Sequence, residues 1–417
     1  MKAGIRAYSD CPRSHSWDGV EVDYLPMLFY PFGKLDGMFN RVGGAMLQLG
    51  WWSIKGRLMK IVEEFQPDVV YAHHTVPNGY FALRIHKQTG IPFVVTDHEM
   101  GEITGCEIFP ARKAVYEKVI GAAHRMVSVA GVMRKDMERV FPHARCEVIH
   151  NGMNLAQAPK ESRGESRETR AAPASTPATS NSLPVTAQEA TSQSPSATDS
   201  SSSTLDSGPS TPLIILSCGM FYERKNFSGL IQAFNLVAKK YPNVVLRIFG
   251  DGPDRIKVEQ VRDASPFKDR IKIPGKISHA EVLQQMQEAD VFALIVWREH
   301  FATVFLEAMA AGLPVIACND GGIAEVIHSA DVDAPALDSG RSTLDATQPN
   351  GLLVPPRDIQ AAAQAMEFLI LNPEARKQIG EAARKKIEAD LTWDAVVQKY
   401  LKMFEEAIRL RAGAATA

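Results

Sequence analysis

Cysteine is scarce in this chain. Its 417 residues hold five, Cys11, Cys106, Cys146, Cys218 and Cys318, all far apart. An odd, scattered set with no Cys-x-x-Cys pair offers neither a disulfide framework nor a cysteine zinc site, and fits a reducing compartment. Long apolar runs are missing too. None approaches the roughly 20 residues that span a bilayer, and the first residues lack the apolar core of a secretory signal. A cytoplasmic location is the resulting expectation. Charge of one sign is also missing, with 46 Lys and Arg against 48 Asp and Glu. A net charge of −2 gives no electrostatic reason to expect nucleic acid or a strongly acidic partner. Aromatic residues are absent between Phe141 and Phe221. Within that gap, 155–211 is rich in Ser, Thr, Ala and Pro. Such a composition cannot bury enough apolar surface to offset chain entropy, so a disordered linker is expected there.

What remains is ordinary globular material, 45% hydrophobic and 23% charged, and long enough for two domains. Strands and helices alternate on both sides of the gap. Strand candidates in the first half lie at 20–25, 68–73, 92–98, 125–130 and 146–151. Ile54, Leu58, Ile61, Val62 and Phe65 recur at helical spacing, which predicts one buried helix face. The apolar, glycine-containing segment 38–52 reads as a helix packed on the sheet. In the second half, 213–217 is a strand, and the helix after it has a face of Phe227, Leu230, Ile231, Phe234 and Val237. A further strand at 244–249 runs into the glycine turn Gly250-Asp251-Gly252-Pro253, where backbone can approach a ligand with no Cβ in the way. Ser278 and Glu281 have the spacing of a capping box. This βαβ rhythm predicts parallel sheets covered by helices.

The most informative stretch follows the apolar run 290–296. Glu299 and Glu307 are separated by seven residues, and a helix pattern running through Glu307 stops at Gly312 with Pro314 beyond. Glu299 is thereby placed on a loop at the carboxyl end of a strand, where open α/β sheets bind ligands. Glu307 is placed in the first turns of the next helix. The helix start between them offers N–H groups and a positive dipole to a phosphate. Carboxylates accept strong hydrogen bonds from sugar hydroxyls. The arrangement describes a nucleotide-sugar pocket.

The same residues resemble the Glu-x7-Glu signature of retaining glycosyltransferases of family 4. The match runs through Glu299, Phe301, Val304, Glu307, Ala308, Met309, Ala310, Gly312, Pro314 and Val315, and departs at Ala302, where the family has Gly. The first half is similar to the family at 67–73 (PDVVYAH), at 92–98, which ends in His98, and at 148–152 (VIHNG). The second half is similar at Gly219, where Met220 replaces the family's Arg, at Lys225, at Gly250–Pro253, at 273–278 around Ile277, at 319–327 (NDGGIAEVI) and at 350–358. The segment 329–350 looks like an insertion.

The resemblance implies a GT-B architecture, two Rossmann-like doubly wound domains facing a cleft. The boundaries expected are 1–154 for an acceptor-side domain, 155–211 for the linker, 212–390 for a donor-binding domain, and 391–417 for a helix crossing back. The family's first strand and Gly-rich loop have no counterpart after Met1, so the first domain is expected to lack its first strand. The implied reaction is retaining transfer of a hexose-type sugar from a nucleotide diphosphate sugar to a hydroxyl of a glycan or lipid-linked acceptor. No metal or other cofactor is implied; peripheral membrane contact is kept open. Glu299 and His98 are implied for the sugar and the catalytic centre. Lys225 and the main chain of Ala302, Thr303 and Val304 are implied for the pyrophosphate, and Glu307 for the ribose. Gly219, Gly250, Ile277 and Phe301 complete the implied donor pocket. Two other functions stay open: a non-catalytic nucleotide-sugar-binding relic, motivated by Met220 and Ala302, and a GT-B epimerase.

Overall fold

The computed structural model describes residues 14–17, 19–25, 36–98, 100–155, 211–330 and 348–416. The linker expected at 155–211 and the insertion expected at 329–350 lie almost wholly outside them, as do residues 1–13.

In the first half, a short antiparallel hairpin, β1 (Ser14–Trp17) and β2 (Val20–Asp23), precedes one long helix, α1 (Asp36–Phe65). A parallel sheet follows in the order β3 (Val70–His73), β4 (Phe93–Asp97), β5 (Arg125–Ser128), β6 (Cys146–Val148). Helices α2 (Tyr80–Thr89), α3 (Met100–Ile108), α4 (Pro110–Ile120) and α5 (Gly131–Val140) connect these strands. Each strand begins or ends within a few residues of its expected place. All five residues of β4 are buried, as a central strand of a doubly covered sheet requires. Among the described residues β3 pairs on one side only, with β4.

One expectation fails in α1. Ile54 and Val62 are buried and Leu58 packs beside them, against Trp51, Phe81 and Ile85. Phe65, expected on the same face, is 77% exposed. It is the last residue of α1, and Gln66 leaves the helical region at φ 47°, so its side chain overhangs the end of the packed face. The segment 38–52 is the first part of this helix and not a separate one. Among its described residues Leu47, Gly50 and Trp51 are buried, and the helix packs on α4 and α2.

In the second half, six parallel strands run in the order β12 (Leu352–Val354), β11 (Val315–Cys318), β10 (Val291–Leu294), β7 (Leu213–Cys218), β8 (Val244–Phe249), β9 (Ile271–Gly275). The order reverses at β7, between β8 and β10. That reversal opens a crevice at the strand ends, the ligand position of an open α/β sheet. Helix α6 (Phe227–Lys240) buries Phe227, Leu230, Ile231, Phe234 and Val237, the expected face. Beyond it lie α7 (Arg255–Asp263), α8 (His279–Glu288), α9 (Thr303–Ala310), α10 (Ile359–Leu371) and α11 (Pro373–Asp390). The Ser278–Glu281 capping box forms at the start of α8, with both reciprocal hydrogen bonds present.

The last helix, α12 (Trp393–Thr416), lies on the first sheet. Tyr400 and Phe404 pack on Tyr71 of β3, each 5.3 Å away between ring centres. Arg125 of β5 pairs with Glu406 at 2.9 Å. Just before α12, the Met153 N–H donates to Leu391 O, and the Trp393 N–H donates to Met153 O. Among the described residues no helix is long and apolar enough to cross a membrane.

Candidate active site

The acidic loop after β10 is held from several directions. The Trp297 N–H donates to Arg224 O at 3.1 Å, tying the loop to the short turn Glu223–Lys225 after β7. The Arg298 N–H donates to Asp320 Oδ2 at 2.9 Å. Behind the loop, the Gly322 N–H donates to the carbonyls of Glu299 and His300 at 3.2 and 3.0 Å. Gly321 sits at φ +77°, and a Cβ on it would lie 2.0 Å from Glu299 O; one on Gly322 would lie 2.0 Å from His300 O. The glycine pair is therefore what lets the β11 loop press flat against the acidic loop.

Lys225 reaches across to Glu299, with Nζ 2.7 Å from Oε2, and both side chains are only 11% exposed. Arg224 approaches the same oxygen at 3.8 Å. Ala302 and Phe301 are buried, and Ala302 supplies no side-chain cap to α9. The first N–H groups of a helix have no partner inside it, so those of Thr303 and Val304 head α9 beside the Lys225–Glu299 pair. Glu307, one turn further, accepts or shares a hydrogen bond with His279 Nε2 at 3.1 Å. Cys218, at the end of β7, links the parts. Burial pushes its thiol up to about 11, the Glu307 charge pushes in the same direction, and Lys225 pulls back, so this thiol lies within reach of both charges at the reversal point of the sheet.

The glycine turn after β8 closes the floor. Gly250, at φ +144°, has room for no side chain: a Cβ would lie 1.9 Å from Gly219 O. Gly219 donates its N–H to Phe249 O and Gly250 donates to Gly275 O. Ile277 follows on the half-buried loop between β9 and α8. Met220, where the family has Arg, is 49% exposed.

His98 follows β4 in the first half, and the structure surrounds it with imidazoles. Its Nε2 is 3.0 Å from His73 Nδ1, and the two rings stack at 12°. Burial, then the neighbouring His73 and His74, lowers the His98 pKa to about 4. His73 is lowered too, by burial first. Beside them, His74, Asp97 and Glu102 bring ligand-type atoms within 4.8 Å of one another. Asp97 is fully buried and accepts from Thr75 Oγ1 at 2.8 Å. Glu102 accepts from the Tyr116 hydroxyl at 2.7 Å, and its carboxyl is held above the ordinary range by burial and then by Asp97. Sequence spacing did not reveal this polar cluster, because its members come from three different segments. The adjacent His73-His74 pair at a strand end was the visible sign of it.

Glu325 lies in the 319–327 stretch that resembles the family, where the sequence assigns it no role. Its carboxylate, in the short turn Gly322–Glu325, accepts from the N–H groups of Gly131 at 2.7 Å and Val132 at 2.9 Å, across in the first half of the chain. His150 Nε2 is 3.8 Å away, and its ring stacks on Phe301 at 5.1 Å.

Known proteins share both halves. Residues 206–386 match the glycosyl transferases group 1 model, and residues 31–157 match Glycosyltransferase Family 4. Glycogen synthase of Mycobacterium tuberculosis is 22% identical over 379 residues, covering 88% of this chain and 75% of that protein. A lipopolysaccharide core biosynthesis glycosyltransferase of Rhizobium meliloti is 22% identical over 376 residues, covering 90% and 84%. Among solved structures, sucrose-phosphate synthase from Thermosynechococcus elongatus superposes with a TM-score of 0.66 at 16% identity, over 96% of this chain and 87% of that one. Anabaena HepE in complex with UDP-glucose superposes with a TM-score of 0.60 at 15% identity, over 90% and 89%. With a family model matched in each half, two parallel α/β sheets and glycosyltransferases among both sets of relatives, the chain belongs to the group 1, family 4 glycosyltransferases and has the GT-B fold.

Proposed function

We propose that this protein transfers a hexose-type sugar from a nucleotide diphosphate sugar to an acceptor hydroxyl, with retention at the anomeric carbon and without a metal ion. The observation that carries the reading is the Lys225–Glu299 pair at 2.7 Å beside the start of α9. An ammonium has three donors, so Lys225 can hold Glu299 and a phosphate oxygen together. The main-chain N–H groups of Thr303 and Val304, with the helix dipole, take the rest of the diphosphate charge. As the bond between the anomeric carbon and the diphosphate oxygen breaks, charge grows on that oxygen. A cation and fixed dipoles already aimed there stabilise it, which is the role a metal would otherwise fill.

Glu299 accepts hydroxyls of the donor sugar, and Glu307 accepts those of the ribose. Gly219 and Gly250 allow the backbone to approach the nucleotide, with Ile277 alongside the base and Phe301 behind the loop. His98, neutral at pH 7 because its pKa is near 4, lines the sugar and acceptor side as a hydrogen-bonding group rather than a cation. The acceptor hydroxyl gives its proton to the departing diphosphate oxygen as its own oxygen bonds the anomeric carbon on the face the diphosphate vacates. UDP complexes of the HepE relative support a uridine nucleotide as the first probe.

The test is incubation with a panel of nucleotide sugars, with NMR assignment of the product's anomeric configuration in the presence of a chelator. A product of the same configuration as the donor, formed at an undiminished rate with chelator, is expected. Binding of the donors with neither transfer nor hydrolysis would favour the non-catalytic reading instead.

A further inference from the structure

The contact between Glu325 and α5 is built like a helix cap, but its two sides come from different halves of the protein. Ala130, the residue before α5, provides no side-chain cap. The first two N–H groups of the helix instead receive both oxygens of Glu325, at 2.7 and 2.9 Å. A carboxylate at that position gains two charge-assisted hydrogen bonds and a favourable helix dipole. The same turn reaches the donor side through its other end. Gly322 is pinned between His300 O and Ala130, where a Cβ would lie 2.0 and 2.6 Å from them. Phe301, on the acidic loop, stacks on His150 of the first half. One five-residue segment, 321–325, thus touches the loop bearing Glu299 and caps a helix of the opposite domain.

We propose that Glu325 is a positioning residue for sugar transfer: its cap on α5 latches the two domains together and holds the Glu299 loop at the working distance from the first domain. The catalytic part of this rests on the sugar-transfer reading above, whereas the latch itself does not.

Two variants break the latch from opposite sides. Glu325→Ala removes the acceptor. Gly131→Pro removes one donor and crowds the carboxylate, since a Cβ at residue 131 would lie 3.0 Å from Glu325 Oε1. The backbone accepts proline there: residue 131 opens the helix, and Ala130 before it is extended at φ −154°, ψ 150°. Full-length protein is measured by small-angle scattering without nucleotide, by calorimetry with UDP, and by turnover of UDP-glucose. Both variants are expected to shift scattering toward a larger radius of gyration. Each should keep UDP affinity within about twofold and lower kcat about tenfold, a loss typical of a charged hydrogen bond. Glu325→Gln, which keeps one acceptor oxygen, should fall between. The double variant should be no worse than Glu325→Ala alone, because that change already removes both hydrogen bonds of the cap. Unchanged scattering in Gly131→Pro would overturn the latch, even if Glu325→Ala failed to fold. An opened scattering curve with parental kcat, or UDP affinity falling in step with turnover, would overturn the positioning role. If the parent turned over no nucleotide sugar at all, the sugar-transfer reading would fail, and scattering alone would still decide the latch.

Discussion

Lys225 and Glu299 form a nearly buried ion pair, and each makes the other affordable in a site largely withdrawn from water. Removing one partner leaves the other charge poorly compensated. Lys225→Ala is therefore expected to lower both thermal stability and UDP affinity, the latter by tenfold or more, the scale of a charged hydrogen bond; calorimetry and thermal unfolding read the two effects. Glu307 stands in contrast. Its partner His279 is more than half exposed, and pairs of that kind contribute at most about 1 kcal/mol. Glu307→Ala should leave the melting temperature within about 2 °C of the parent while weakening UDP binding. Parental affinity in that variant would remove Glu307 from the site. The imidazole pair makes a pH prediction. His98 has a folded pKa near 4 against an ordinary 6.5, so the unfolded chain takes up a proton between these values that the folded chain refuses. Stability is then present in full above about 6.5, declines as pH falls toward about 4, and levels off below. His73 contributes in the same direction. A melting temperature that holds steady from pH 7 to pH 4 would contradict this, and His98→Asn should flatten the slope.

At the scale of elements, the site is an assembly of strand ends and the loops behind them. β7, β8 and β10 meet at the point where strand order reverses, and each delivers one part: the Lys225 turn, the Gly250 turn and the Glu299 loop. The glycine pair after β11 then sets how closely these parts approach. Gly321→Ala combines a left-handed φ, costing about 1–2 kcal/mol for a side chain, with overlap on the Glu299 carbonyl. It is expected to push the acidic loop forward, lowering the melting temperature by several degrees and UDP affinity with it. Retention of both would mean that the loop does not depend on this backing.

For the whole molecule, the second sheet and its helices are built from one continuous stretch. Helix α11 closes that unit, with Gly380 packed against the carbonyl of Gly312 just past α9. A piece spanning 212–390 is therefore proposed as an independent domain, expected to unfold cooperatively and to bind UDP without transferring sugar. Absence of a cooperative transition would show that α12 or the first sheet is needed to complete its core.

How much of this could be read along the chain follows from the range of each interaction. Strands and helix faces depend on periodicity within a few residues, so β3 to β8, β10 and the Phe227–Val237 face were legible, as was the Ser278–Glu281 cap. Phe65 was misread because periodicity knows the face of a helix and not where its packing partner ends. Within the second half, Glu299 and Glu307 could be singled out because strand ends in a parallel sheet point to one crevice whatever the details, and Lys225 through the family resemblance alone. The sequence by itself thus determined the fold class and which residues of the second half lie at those strand ends. Only the tertiary structure decided which distant groups meet: His73 beside His98, Asp97 among His74, Thr75 and Glu102, and Glu325 on the N-terminus of α5. Those contacts depend on how two sheets and their loops are placed in space, and a carboxylate that caps a helix some 190 residues away leaves no spacing along the chain by which to find it.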